Sequence, residues 1–185
     1  MAKKAIVLLA DGFEEIEAVT PIDYLRRAGV EVVTAAIGKE EAVNGARRIQ
    51  VIADTTLAKL TGGAGAFDAV IVPGGMPGAA NLAGSKEVNS LLTDMAAAGK
   101  LVCAICASPA VVLFPLGLLS GKKFTCYPGM EKQVSGGLWS EDKVVIDTNI
   151  ITSRSAGTAG DFAVAIIGKL IDEDAGKKIA GAVLL

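Results

Sequence analysis

The sequence predicts a single α/β domain with a mainly parallel sheet that carries helices on both faces. Segments of strand type and helix type alternate along the chain, which is the order that a parallel sheet requires. Hydrophobic residues make up 51% of the chain but aromatic residues only 4%. The core must therefore consist of Val, Ile, Leu and Ala, as in sheets that are buried on both faces. A length of 185 residues suits one domain with a sizeable core.

Strands are predicted where short apolar runs are bounded by turn-forming residues. These runs are residues 5–9, 31–36, 49–52, 69–72, 101–105, 124–126, 144–147 and 150–152. The last two runs are separated by Thr148 and Asn149, and we expect them to form a hairpin.

Helices are predicted where longer segments place apolar residues on one face. These segments are residues 14–27, 85–98, 107–113, 157–171 and 173–183. Ser85 is a typical N-cap residue, and Gly29 and Gly99 are typical helix-ending residues.

Composition and charge exclude several classes of function. The formal net charge is −2 with both signs scattered, so nucleic-acid binding is not expected. The apolar run at residues 5–10 is too short for a secretory signal peptide. Residues 101–119 are uncharged, but Ser108, Pro109 and Pro115 favour a strand, turn and helix over a membrane span. Three cysteines without secretory features suggest free thiols in a reducing cytoplasm.

Three unusual loops follow predicted strands, and ligands of parallel sheets bind at such strand ends. The first loop runs from Asp11 to Glu17 and is acidic, and the second, residues 73–78, is rich in glycine and proline. The third begins at Cys106, where a buried strand turns sharply into a predicted helix. Helix N–H groups and the helix dipole favour a thiolate, so Cys106 is predicted to be a nucleophile near neutral pH.

The other cysteines are predicted to have different surroundings. Cys103 lies inside the same strand, so it should face the opposite side of the sheet from position 106 and belong to the core. The two thiols are therefore not expected to act as a redox pair. Cys126 ends a short predicted strand and either approaches the site or only packs. The chain contains no histidine, so a Cys–His pair is excluded, and a zinc or iron site is not expected.

Four motifs in order resemble the ThiJ/PfpI superfamily, close to the branch of the Parkinson-disease protein deglycase. They are Glu-Glu-Ile-Glu-Ala-Val at residues 14–19, Pro-Gly-Gly at 73–75, Ala-Ile-Cys-Ala at 104–107 and Thr-Ser-Arg-Ser-Ala-Gly-Thr at 152–158. The resemblance implies one flavodoxin-like domain over residues 1–185, of the class I glutamine amidotransferase-like type. It also implies a homodimer.

The resemblance assigns roles to particular residues. Cys106 matches the family's reactive thiol, and Glu17 matches the acid that hydrogen-bonds it. A carboxyl group beside a thiolate is pushed toward its protonated form, so Glu17 could donate to the sulfur and relay protons. The alternative for Glu17 is a solvated acid in the first helical turn. The N–H groups of Gly75 and Ala107 are the candidate oxyanion hole.

Further pocket residues are suggested at Gly74, Tyr127 and Arg47. Tyr127 stands where many family members have a histidine, and it either donates a hydrogen bond into the pocket or packs in the core. Arg47 is alternatively an ordinary surface residue. Because this chain has Ala107, whereas the peptidase-like branch has a histidine directly after its cysteine, peptidase and glutamine amidotransferase activities are not expected.

The resemblance implies a cofactor-independent and metal-independent glyoxalase or deglycase. Its substrates would be methylglyoxal or glyoxal and their early adducts on proteins, and Cys106 would form a hemithioacetal with Glu17 as proton relay. The first alternative is a redox sensor or chaperone for oxidative stress that works through oxidation of Cys106. The second is a binding domain without chemistry.

Overall fold

The computed structural model describes residues 2–185. Its strands are β1 Lys4–Leu9, β2 Glu31–Ala36, β3 Ala42–Asn44, β4 Gln50–Ile52, β5 Thr55–Thr56, β6 Ala69–Val72, β7 Leu101–Ile105, β8 Lys123–Phe124, β9 Leu138–Trp139, β10 Val144–Asp147 and β11 Ile150–Ser153. Its helices are α1 Glu15–Arg27, α2 Gly78–Gly84, α3 Lys86–Ala97, α4 Ala159–Leu170 and α5 Glu173–Ala182, with a short π-helix at Pro109–Leu113.

The central sheet has seven strands in the order β10-β11-β7-β6-β1-β2-β5. Neighbouring strands are parallel except β10, which pairs antiparallel with β11 in a hairpin. The chain moves outward from β1 in both directions, to β2 on one side and to β6 on the other. The carboxyl ends of β1 and β6 therefore flank a topological switch point, where ligands bind in folds of this class.

Helices cover both faces of the sheet, as the sequence predicts. Buried side chains of α1, α4 and α5 pack on one face, and those of α2 and α3 pack on the other. The core contains Val, Ile, Leu and Ala, with few aromatic rings among them. The alternation of strands and helices thus produces the three-layer arrangement that it predicts.

Two predicted elements differ in the structure, and one helix was not predicted. The helix predicted at 107–113 begins only at Pro109 and is a π-helix of five residues. The strand predicted at 124–126 is β8, which pairs only through Lys123 and Phe124. Helix α2 was not predicted, because it is built from glycine and alanine directly after a proline and carries no amphipathic signal.

The apolar segment 101–119 is divided between β7, a turn and the π-helix. Within residues 2–185, the structure contains no helix with both the length and the apolar character needed to cross a bilayer.

Candidate functional site

A cleft opens where the loops that follow the central strands meet. Its volume is about 620 Å³. The lining residues are Glu14, Glu17, Ala46, Arg47, Gly75, Met76, Cys106, Ala107, Tyr127, Pro128, Met130, Ser155 and Ala156. The structure thus brings together the loops after β1, β6 and β7, as predicted from the strand ends, and adds the turn after β11.

Cys106 occupies a sharp turn at the end of β7. Its φ of 64° lies in the left-handed region, which is unfavourable for a residue with a side chain. Two backbone hydrogen bonds hold this conformation: its N–H donates to Ser153 O at 2.9 Å, and its carbonyl accepts from Tyr127 N at 2.8 Å. Neighbouring elements therefore fix the turn that presents the thiol to the cleft.

Two backbone N–H groups reach the sulfur of Cys106. They belong to Gly75 and Ala107, and both favour the charged form of the thiol. Gly75 adopts a φ of 87°, and a side chain there would collide with the backbone of Gly12 and Glu14. The predicted oxyanion-hole pair is therefore close to the thiol and able to stabilise negative charge there.

Gly74 allows the carboxyl group of Glu17 and the thiol to come together. A Cβ atom on Gly74 would lie 2.6 Å from Cys106 Cβ and 2.6 Å from Glu17 Oε2. The N–H of Gly74 donates to Glu17 Oε2 at 2.9 Å. Only glycine fits this position, because any side chain would occupy the space of the two reactive groups.

Glu17 is fully buried in the first turn of α1, although its neighbour Ile16 is exposed. Its pKa is raised from 4.5 to about 7, chiefly by burial and further by the charge of Glu14. Hydrogen bonds with the Cys106 thiol, Gly74 N–H and Ala156 N–H act in the opposite direction. Within residues 2–185 its Oε1 atom has no close hydrogen-bond partner. Glu17 is therefore not the solvated first-turn acid that was the alternative.

The pKa of Cys106 is raised to about 12, so the predicted depressed pKa is wrong. Burial is the main cause, followed by the charge of Glu17 and a hydrogen bond with it. The two causes that involve Glu17 apply when its carboxyl group is charged. A protonated Glu17 removes the repulsion and can donate to the sulfur, so the two groups titrate as a pair.

The remaining cysteines belong to the interior. Cys103 and Cys126 are buried, and all three cysteines are free. Burial raises the pKa of Cys103 far above its ordinary value. Cys103 is a core residue, as predicted, but it does not face away from position 106. The left-handed turn ends the strand alternation, and Cys106 packs against the hydrophobic cluster that contains Cys103.

Tyr127 and Arg47 both line the cleft. Tyr127 is 48% exposed, so the alternative of core packing is wrong. Arg47 has an exposed side chain, and its backbone N–H donates to Glu15 Oε1 at 2.6 Å. Glu15 is buried, and its hydrogen bond with the Arg47 backbone attaches the segment after β3 to the start of α1. The arginine is thus positioned at the cleft through its backbone.

Sequence reasoning missed several residues of the cleft wall. The N–H of Ala156 lowers the pKa of Glu17, although the two residues are far apart in the sequence. The motif at residues 152–158 was noted but received no role there. Met76 and Met130 also line the cleft, and neither residue type carries a chemical signal in a sequence. Within residues 2–185, His, Cys, Asp and Glu side chains form no cluster suited to a metal ion.

Comparisons with known proteins agree with this geometry. The DJ-1/PfpI family matches residues 3–169. Protein dj-1beta of Drosophila melanogaster is 40% identical over 187 residues, which cover 100% of this chain and 98% of that protein. The crystal structure of Drosophila melanogaster DJ-1beta has a TM-score of 0.93 and covers 100% of this chain and 99% of its own.

One further relative is much longer than this chain, and another is named for an enzymatic activity. Protein DJ-1 homolog B of Arabidopsis thaliana is 39% identical over 97% of this chain, but the chain spans only 41% of that protein's length. The glutathione-independent glyoxalase DJR-1.2 of Caenorhabditis elegans is 36% identical over 171 residues, covering 91% of this chain and 89% of that protein.

Proposed function

The chain belongs to the DJ-1/PfpI family, and from that premise we propose that it is a glyoxalase that uses Cys106 and Glu17 without a cofactor. The observation that carries the proposal is a buried carboxyl group with its pKa raised to about 7, within hydrogen-bonding reach of a thiol in an open cleft. Such a pKa suits a group that both gives and takes protons near neutral pH. The glyoxalase name of the worm relative supports the same activity class.

The first step is attack on the aldehyde carbon of methylglyoxal. The Glu17 carboxylate takes the proton of the Cys106 thiol, and the resulting thiolate forms a bond to the carbonyl carbon. The carbonyl π-electrons move to oxygen, which takes the proton from Glu17. The product is a hemithioacetal, and Glu17 is left as the carboxylate.

The second step moves hydrogen between the two carbons of the substrate. The Glu17 carboxylate removes the proton from the former aldehyde carbon, which gives an enediolate. The N–H groups of Gly75 and Ala107 stabilise its oxygen. The hydroxyl proton on the first carbon moves to the oxygen of the second carbon, and Glu17 returns its proton to the second carbon, which gives a lactyl thioester.

The final step is hydrolysis of the thioester. Water adds at the carbonyl carbon and the sulfur leaves, so lactate is released and the thiol–carboxyl pair is restored. The whole reaction consumes one methylglyoxal and one water. Glyoxal would give glycolate in the same way. We extend the proposal to early adducts on protein amines and thiols. There the Cys106 sulfur would displace the amine or thiol from the former aldehyde carbon, the proton on Glu17 would go to the leaving group, and the resulting hemithioacetal would react by the same later steps.

Lactate formation from methylglyoxal without glutathione tests the proposal. Wild type is expected to show saturable activity that Cys106→Ser abolishes. Cys103→Ala is the matched control, because this thiol lies in the core and should not affect turnover. Absence of lactate above the buffer rate with wild type would refute the glyoxalase proposal.

The second candidate function is a redox sensor or chaperone. Cys106 is the only partly exposed cysteine among residues 2–185, and protonated Glu17 could donate to an oxidised sulfur. Glu17→Gln separates the two functions. Loss of lactate formation with retained peroxide reactivity at Cys106 fits a proton relay in an enzyme. Peroxide reactivity at Cys106 in a wild-type protein that forms no lactate would favour the sensor.

We further propose a homodimer in a reducing compartment such as the cytoplasm. Ile16 and Val19 lie exposed on α1, and Ile49 and Ile52 are exposed on the neighbouring segment. Exposed apolar side chains of this kind are suited to an interface with a second copy. Three free cysteines are suited to a reducing environment.

A further inference from the structure

The proposed chemistry uses only part of the cleft. The volume of about 620 Å³ falls within the range of pockets that take drug-sized ligands, about 300–1,000 Å³. Methylglyoxal is a much smaller molecule and fills only a fraction of this space. The cleft therefore has room for a substituent attached to the reacting carbonyl groups.

The wall of the cleft has a charged part and an apolar part. Glu14 and Arg47 come from the start of α1 and the segment after β3. Met76, Tyr127 and Met130 come from the loops that follow β6 and β8. The apolar part is made of one aromatic ring and two thioethers, so it presents polarisable surface with little charge.

Two of these apolar residues are joined directly to the backbone around the thiol. Met76 follows Gly75, whose N–H reaches the sulfur of Cys106. The N–H of Tyr127 donates to the carbonyl of Cys106 at 2.8 Å. Both side chains line the same cleft as the thiol, so they border the space that a group on the adjacent keto carbon would enter when the aldehyde carbon is bonded to the sulfur.

We propose that Met76 and Tyr127 are specificity-determining residues that bind an aromatic substituent on the keto carbon of an α-oxoaldehyde. The inference rests on the proposed glyoxalase function. Met76 is 56% exposed and Tyr127 48% exposed, so a bound ring removes apolar surface of both from water. A tyrosine ring pairs well with another ring, and a flexible thioether contacts ring edges and adapts to their shape.

Phenylglyoxal and methylglyoxal are the probes for the experiment. In the product of phenylglyoxal, mandelate, the aldehyde carbon is oxidised to the carboxylate and the keto carbon is reduced to the alcohol, with addition of one water. The quantity measured is the ratio of kcat/KM for phenylglyoxal to kcat/KM for methylglyoxal. Wild type is expected to favour phenylglyoxal by about tenfold, the lower end of the selectivity of a hydrophobic pocket.

Variants separate recognition from the intrinsic reactivity of the two aldehydes. Met76→Ser and Tyr127→Ser are each expected to lower the ratio by about threefold or more. Leu138→Ser is the matched control, because Leu138 is 57% exposed but lies outside the cleft wall, and it should keep the wild-type ratio. An unchanged ratio in both cleft variants, with methylglyoxal still converted, would overturn this inference alone. No conversion of either aldehyde by wild type would overturn the proposed function as well.

Discussion

Replacing Glu17 by Gln should change how the stability of the protein depends on pH. The folded-state pKa of Glu17 is raised from 4.5 to about 7, mainly by burial. One pKa unit corresponds to about 1.4 kcal/mol, so the difference between 4.5 and 7 corresponds to about 3 kcal/mol.

The sign follows from which state binds the proton more tightly. Below pH 4.5 the carboxyl group is protonated in both states, and its contribution to stability is fully present. Between pH 4.5 and about 7 the unfolded chain loses the proton while the folded protein keeps it, so the free energy of unfolding falls. Above about pH 7 the loss is complete. Gln does not titrate, so Glu17→Gln should escape this loss.

Urea unfolding at a series of pH values measures the effect. The stability of Glu17→Gln minus that of wild type should rise by about 3 kcal/mol between pH 4 and pH 8. Cys103→Ala should keep the wild-type pH dependence, because Cys103 is not among the groups that shift the pKa of Glu17. A difference between Glu17→Gln and wild type that does not vary with pH would refute the raised pKa.

Three further perturbations test other parts of the account. Ala156→Pro removes an N–H that stabilises charged Glu17, at the first position of a 3₁₀ turn where proline is tolerated. The pKa of Glu17 that is read from the pH dependence of kcat/KM should rise by about one unit. An unchanged pKa would exclude an effect of the Ala156 N–H on Glu17. Gly74→Ala should lower kcat/KM by about 100-fold or more, because the added Cβ would lie 2.6 Å from Cys106 Cβ and Glu17 Oε2. Gly84→Ala is the control and should keep the wild-type kcat/KM, because the space around Gly84 is open. Equal values of kcat/KM for the two variants would contradict the close contact at Gly74. Ile16→Lys should give a monomer in sedimentation equilibrium, and a dimer of unchanged strength would place the interface elsewhere.

The position of the site was predictable because it depends on local patterns. An apolar run that stops at Cys106 indicates a buried strand, and parallel strands bring their carboxyl ends to one edge. The same reasoning brought the loop of Glu17 and the loop of Gly75 to that edge. The family resemblance then selected Glu17 among the neighbouring acids. In the structure the side chain of Glu17 is completely buried.

The electrostatics of the site were not predictable from local patterns. The thiol pKa depends on burial and on the distance to a carboxyl group from another element, and the sequence expresses neither. The N–H of Ala156 reaches Glu17 only through the folding of α4 and β11 against α1 and β7.

Turnover of methylglyoxal in heavy water tests most directly whether Glu17 passes a proton between the two substrate carbons. In the proposed mechanism the buried carboxyl group takes a proton from one carbon and returns it to the next, and this proton exchanges with solvent at the open cleft. The account predicts lactate that carries deuterium at its alcohol carbon, detected by proton NMR. Lactate with no deuterium at that carbon would indicate direct hydride transfer and would contradict the proton relay.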